Sequence, residues 1–238
     1  MVRSISIVEY KVQQAHFFLE RLELSDLDFF AVQCFTDAFA SACRSITLAM
    51  QAVINEVPGL KDWYSPRMDS LKQDRVSAFF KAYRTASIHI GDTVVRGATS
   101  RRGVDGEPQR RYFFVAIPEV PQVPSEDVVA ICKSHFTNLL SLVYDTFSTF
   151  LCQLDDRWYF TEDHFQSMGK SFDDAIAEVG YPHQWAAAAA VLSESAKWHA
   201  LRSTQTIGCQ LNPLFERYLG KAIPGPDDVT PWYHALSS

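Results

Sequence analysis

The chain has 238 residues, of which 47% are hydrophobic, 13% aromatic and 21% charged, and its formal net charge is −6. That is material for one sizeable domain, or a domain with an appendage, and it excludes a disordered or low-complexity chain. The acidic balance also excludes nucleic-acid binding through bulk charge, so any contact with RNA or DNA falls to a local basic patch.

Residues 8–23, VEYKVQQAHFFLERLE, place apolar groups at helical spacing without a breaker. Ser25 then reads as an N-cap, with Asp26 and Asp28 in the first turn of the next helix. From there a segment of about thirty residues runs without Gly or Pro until Pro58-Gly59 stops it. Its Phe29, Phe30, Phe35, Phe39 and Cys43 are expected to face a core. Ser65-Pro66 reads as an N-cap followed by Pro at the first helical position. A further helix starts near Asp74, carries Val76, Phe79, Phe80, Tyr83 and Arg84, and ends by Gly91.

Two short β-branched or aromatic stretches follow, TVVRGAT and RRYFFVAI, separated by the turn-rich SRRGVDGEPQ. They predict a small hairpin or extended arm at about 93–117. Positive charge gathers here in Arg96, Arg101, Arg102, Arg110 and Arg111, against Asp105 and Glu107. Pro118, Pro121 and Pro124 make an extended connector, and Ser125 caps a long helix to about residue 154. Residues 156–238 read as an appendage of shorter helices. Thr161 and Ser171 are N-caps, Gly180 with Pro182 is a stop, and the Ala-rich WAAAAAVLSESAKWHALRSTQ is one helix ended by Gly208. Asn212-Pro213 opens a last helix that Gly220 closes. The expected architecture is all-α: an up-down bundle of about four main helices over residues 1–155 with a hairpin insertion, then a helical extension over 156–238.

Several chemical devices are missing. The five cysteines, Cys34, Cys43, Cys132, Cys152 and Cys209, are widely spaced with no CxxC pair, so they read as reduced, mostly buried thiols and not as a zinc site. QSMGKS, residues 166–171, ends like a phosphate-binding loop, but His164 stands where the leading Gly would be. His16 and Glu20 have helical spacing and read as a surface pair or a capped core His, not as metal ligands. No metal or cofactor is expected. The start, MVRSISIVEYK, lacks the apolar core of a signal peptide, and no apolar run reaches the length of a membrane span, so a soluble cytoplasmic protein is expected.

What remains is YRTASIHIG, residues 83–91, with Arg84 and His89 five apart at a helix end. The spacing alone is common, and Arg157 with His164 satisfies a looser form of it. The position before Gly91, at the end of a bundle helix, sets the first pair apart. The stretch resembles the Arg-x4–6-His motif of the HEPN superfamily of helical bundles, where the motif sits near the end of the third helix. Two long helices, a motif helix, an excursion and a further long helix over residues 8–155 resemble that layout. The likeness implies a metal-independent endoribonuclease in a toxin or anti-phage defence role, with Arg84 and His89 catalytic, RNA as substrate and an inhibitory or regulatory protein partner. Thr85 departs from the Asn, His, Gln or Asp that active members often carry after the Arg, and Gly91 stands where one branch carries a Tyr.

The residue types suit that chemistry. A ribose 2′-OH attacks its own 3′-phosphate when a base takes its proton and a cation steadies the crowded phosphorane. His titrates near neutrality, and Arg is a permanently charged planar fork. Five residues of ideal helix rotate roughly 140° past a full turn and rise about 7.5 Å, so Arg84 and His89 of one chain do not project side by side. Either the helix unwinds before Gly91, or two copies meet across a two-fold axis, which is the arrangement HEPN ribonucleases use. A homodimer with a shared site is therefore expected, with the arginines of the hairpin as RNA-binding residues. The other reading is a non-catalytic HEPN-like binding or assembly module, with Trp185, Trp198 and Trp232 offering aromatic surface to a partner.

Overall fold

The computed structural model describes residues 5–25, 28–91, 93–102, 108–182, 184–189 and 191–227. These are mostly helical, with one two-stranded antiparallel sheet among them. No helix among the described residues is long and apolar enough to cross a membrane. Contacts group the chain into two compact units, Met1–Val143 and Tyr144–Ser238.

The first unit opens with a helical hairpin of α1 (Ser6–Leu24) and α2 (Phe29–Ile54). The α1 stripe Val8, Val12, Ala15, Leu19 and Leu22 is wholly buried, at the four-three spacing of a core-facing helix. Ser25 does not open α2: its hydroxyl donates back to Arg21 O at 2.6 Å and closes α1. The N-cap is Asp28, whose Oδ1 accepts from Ala31 N at 3.0 Å. α2 is 26 residues long and ends at Ile54, before Pro58-Gly59. Helix α3 (Leu60–Gln73) starts after Gly59, whose φ is 78°, and Pro66 lies inside it. The expected Ser65-Pro66 start is thus overturned, and the Ser65 hydroxyl bonds Lys61 O instead. Pro66 is on the exposed side, where water can meet the carbonyl that it leaves unbonded.

Helix α4 (Arg75–Ile90) begins at Asp74, which accepts from Ser77 N at 2.8 Å, and stops at Gly91 in the left-handed conformation with φ 72°. Strands β1 (Val95–Arg102) and β2 (Pro108–Phe114) pair antiparallel from Val95 opposite Phe114 to Arg102 opposite Pro108, with a register shift between Val95 and Gly97. The strands reach further into the expected loop than its composition indicates; Asp105 and Glu107 lie outside the described residues. Helix α5 (Val128–Thr149) is capped by Asp127, not Ser125, through Val129 N at 2.9 Å. It does not run to 154: Phe150 (φ −114°, ψ 37°) separates it from the single turn α6 (Leu151–Leu154).

The core of this unit centres on Phe80, whose ring lies 5.8 Å from Phe39 and 4.5 Å from His135, with Tyr83 and Phe136 also fully enclosed. Each such ring contributes about 1.5–3 kcal/mol over leaving it in water. Phe30 is not part of it, being 73% exposed, and Phe29 is half-buried with its ring stacked on Tyr112 at 5.6 Å. α5 is held to α1 by Lys133 with Glu23 at 2.8 Å and by His16 against Phe136 at 5.7 Å.

The second unit adds α7 (Asp156–Tyr159), α8 (Glu162–Ser167), α9 (Phe172–Glu178), α10 (Gln184–Ala189), α11 (Glu194–Gln205) and α12 (Asn212–Leu219). Its core is Phe165, Phe172, Ile176, Trp198 and Leu201. Ser171 forms a full capping box with Asp174. The Ala-rich stretch is two helices, not one: α10 ends at Ala189 and Ser193 caps α11 through Ala196 N at 3.3 Å. α11 ends at Gln205, ahead of Gly208. Asn212-Pro213 and Gly220 bound α12 as expected. Trp198 is core, Trp185 is 40% exposed, and Trp232 lies outside the described residues.

Candidate functional site

The site is built on the last three turns of α4. Phe79, Phe80, Tyr83 and Ala86 face inward, and Phe79 meets Phe114 of β2 edge-on at 4.7 Å. This apolar stripe fixes the rotation of the helix and so decides where every other side chain of α4 points. Arg84 falls on the flank of that stripe, half-buried; its Nε is enclosed and has no hydrogen-bond partner among the described residues. His89 is exposed. Thr85 is exposed too, and its hydroxyl donates to Lys81 O at 2.9 Å, within its own helix.

The helix stays regular through Ile90. Of the two ways to reconcile Arg84 with His89, unwinding before Gly91 is therefore ruled out. Within one chain the two side chains leave the helix on nearly opposite sides, roughly 140° apart.

The inward side of the same helix carries a polar cluster that the sequence pattern did not reveal. The Tyr83 hydroxyl donates to Asp37 Oδ1 of α2 and lies 3.5 Å from Thr93 Oγ1, and the Ser87 hydroxyl also bonds Asp37. Burial raises the Asp37 carboxyl above its ordinary value, against the lowering by its two hydrogen bonds. Burial, with the Asp37 charge behind it, pushes the Tyr83 phenol far up. The cluster ties α2, the last turns of α4 and the entrance of β1 together. A signal for it was there: Asp37 is the one charged residue between Asp28 and Arg44, in an otherwise apolar helix.

The hairpin root is latched on both outer edges. Gln33 Nε2 donates to Val95 O at 2.9 Å, and Tyr112 N donates to Asp127 Oδ2 at 3.1 Å. The register distributes the arginines. Arg110 and Arg102 share the face that carries Tyr112, while Arg111 lies on the other. Arg96 sits at the bulge between Val95 and Gly97, with its Nε bonding Thr93 O at 2.9 Å. Arg101 lies opposite Gln109. Arg96, Arg102, Arg110 and Arg111 are all exposed. They make a charged arm, not one flat patch.

The remaining candidates have structural occupations. His16 Nε2 is 3.6 Å from Glu20 Oε1. Gly169, with φ 69°, closes α8, and Lys170 pairs with Glu178. Arg157 of the looser motif lies 3.7 Å from the buried Asp155 carboxylate and over Gly208, where an added β-carbon would strike its guanidinium. Asp155 Oδ2 also accepts from Cys209 N at 2.9 Å, so this cluster fastens the loop before α12. All five cysteines are free; Cys43, Cys132 and Cys209 are buried and Cys34 is exposed. Among the described residues no group of three or more His, Cys, Asp or Glu side chains is placed to hold a metal. No protein-family model matches this sequence, and no curated protein or solved structure was found to match it.

Proposed function

We propose that the protein is a metal-independent endoribonuclease of HEPN type, acting in the cytoplasm as a toxin or defence effector, with a composite site at a homodimer interface. The observation that carries the reading is the end of α4: an unpartnered, half-buried Arg84 and an exposed His89 on opposite flanks of one intact helix turn. Two such ends related by a two-fold axis bring the Arg of one chain to the His of the other. His89 then takes the 2′-OH proton as that oxygen bonds the 3′-phosphorus, the P–O5′ bond breaks and the departing 5′-oxygen is protonated; Arg84 steadies the phosphorane, and the arginines of the hairpin hold the flanking backbone. An inhibitory protein partner would restrain it.

The test is cleavage of single-stranded RNA by purified protein in excess chelator. Cleavage with 2′,3′-cyclic phosphate ends is expected, falling by about 10²–10⁴-fold in His89→Ala. Full activity of that variant removes His89 from the chemistry. The second reading, a non-catalytic binding or assembly module, is favoured by Thr85, whose hydroxyl is spent on Lys81 O. It predicts RNA retention without turnover.

A further inference from the structure

Beside α4, on the side away from Arg84, the first unit holds a cleft of about 540 Å³ walled by α4, the connector 120–126 and Ile131 of α5. This lies within the range of small-ligand sites, roughly 300–1,000 Å³. Its apolar lining includes Val76, Ala78, Phe79 and Ala82 of α4 and Val120 of the connector. Gln73, Arg75, Gln122 and Glu126 stand exposed at the rim.

Part of the α4 lining of the cleft shares one stripe of the helix with His89. Arg75, Ala78, Ala82, Thr85 and His89 follow at spacings of three, four, three and four, which is a single stripe of α4. From Ala82 to His89 the stripe rises about 10.5 Å, which a short piece of single strand spans. Arg84 is roughly 160° away from Ala82 around the helix and takes no part.

We propose that the cleft is a subsite for one unstacked nucleobase of a single-stranded RNA whose backbone runs along this stripe to His89. The proposal rests on the ribonuclease reading. An unpaired base needs a narrow apolar slot for its faces and mixed donors and acceptors for its edge. Val76, Ala78, Ala82 and Val120 supply apolar surface for the faces. The Gln73 and Gln122 carboxamides each donate and accept, the Glu126 carboxylate accepts from an exocyclic amino group, and Arg75 meets a flanking phosphate. An alkyl chain would leave those four groups unused, and a bare polyphosphate would meet Glu126.

Methyl NMR on the full chain, titrated with AMP, GMP, CMP and UMP, reads the site without any cleavage. Shifts at Ala78, Ala82 and Val123 are expected with at least one nucleotide, unchanged in His89→Ala and weakened about tenfold in Ala82→Trp. Ala78→Leu, at an exposed position, narrows the same cleft if the Trp variant does not fold. Shifts no larger than those from inorganic phosphate, or equal affinity in the folded cleft variants, overturn the subsite. Cleavage assays separate the two ideas. A protein that binds mononucleotides here but leaves RNA intact retains the subsite and loses the ribonuclease reading. One that cleaves RNA with an unaltered KM in both cleft variants loses the subsite alone.

Discussion

At the scale of single residues, the groups that fix the site are those whose partners are distant in the chain. Arg84 and His89 announce themselves because they are five apart; Asp37 and Tyr83 do not, because they are 46 apart and meet only when α4 is laid on α2. Tyr83 reads in the sequence as one more core aromatic, and nothing local reveals that its hydroxyl is held by a carboxylate. His135 is a similar case. It is 5% exposed, stacked on Phe80, with Nδ1 unpartnered among the described residues. Burial lowers its imidazole to about 4, only partly offset by Asp74. A base whose folded pKa lies below the unfolded one favours the neutral form, so its stability is complete above about pH 6.5 and drains as pH falls towards 4. At pH 5 the loss attributable to His135 is about 2 kcal/mol. Urea denaturation of wild type and His135→Phe at pH 7 and pH 5 measures it: the variant keeps the ring contact with Phe80 and should lose most of the acid sensitivity.

At the scale of elements, legibility followed the locality of the signal. Asp74 and Gly91 were readable as the ends of α4 because an N-cap acts within three residues and a left-handed C-terminal residue within one. Ser25 and Ser125 misled because an Asp stands two or three residues later and wins the cap, Asp28 for α2 and Asp127 for α5. Pro66 misled because an exposed helix face tolerates the missing N–H. The break between α10 and α11 was hidden because alanine propensity carries a helix on paper through Val191 and Leu192, although Ser193 is itself a cap signal. Gly91 permits a direct test. No heavy atom lies within 4 Å of an added β-carbon, so Gly91→Ala suffers from backbone strain alone. A loss of about 1 kcal/mol is expected in chemical denaturation. Because His89 sits two residues earlier, cleavage should fall more steeply than stability does.

At the scale of the molecule, mostly helical character and the lack of a membrane-crossing helix among the described residues were readable from periodicity and hydropathy. The proposed meeting of two α4 ends was not, because one chain's sequence holds no information on the geometry between copies. Complementation tests it. Arg84→Ala and His89→Ala are each expected to be inactive alone. Mixed and re-equilibrated, they should recover about a quarter of wild-type activity, since half the dimers are mixed and each retains one intact Arg–His pair. If both residues of a site came from the same chain, mixing would restore nothing. Light scattering on the same samples reports whether the wild type is a dimer and whether each variant keeps that state.

One carboxylate links these scales. Asp127 caps the first turn of α5 and, with its other oxygen, latches the backbone of β2 at Tyr112. Both contacts are lost together if the side chain swings away, so opening of the β2 edge at Tyr112 is expected to accompany fraying of the start of α5. Native-state hydrogen exchange should therefore show the Tyr112 amide and the Val129 amide exchanging with the same opening free energy. Asp127→Ala should speed both together while leaving amides in the middle of α5, such as Leu139, protected. A basic arm on a two-stranded ribbon is marginal by itself; borrowing the cooperativity of a long helix would keep it straight until that helix gives way.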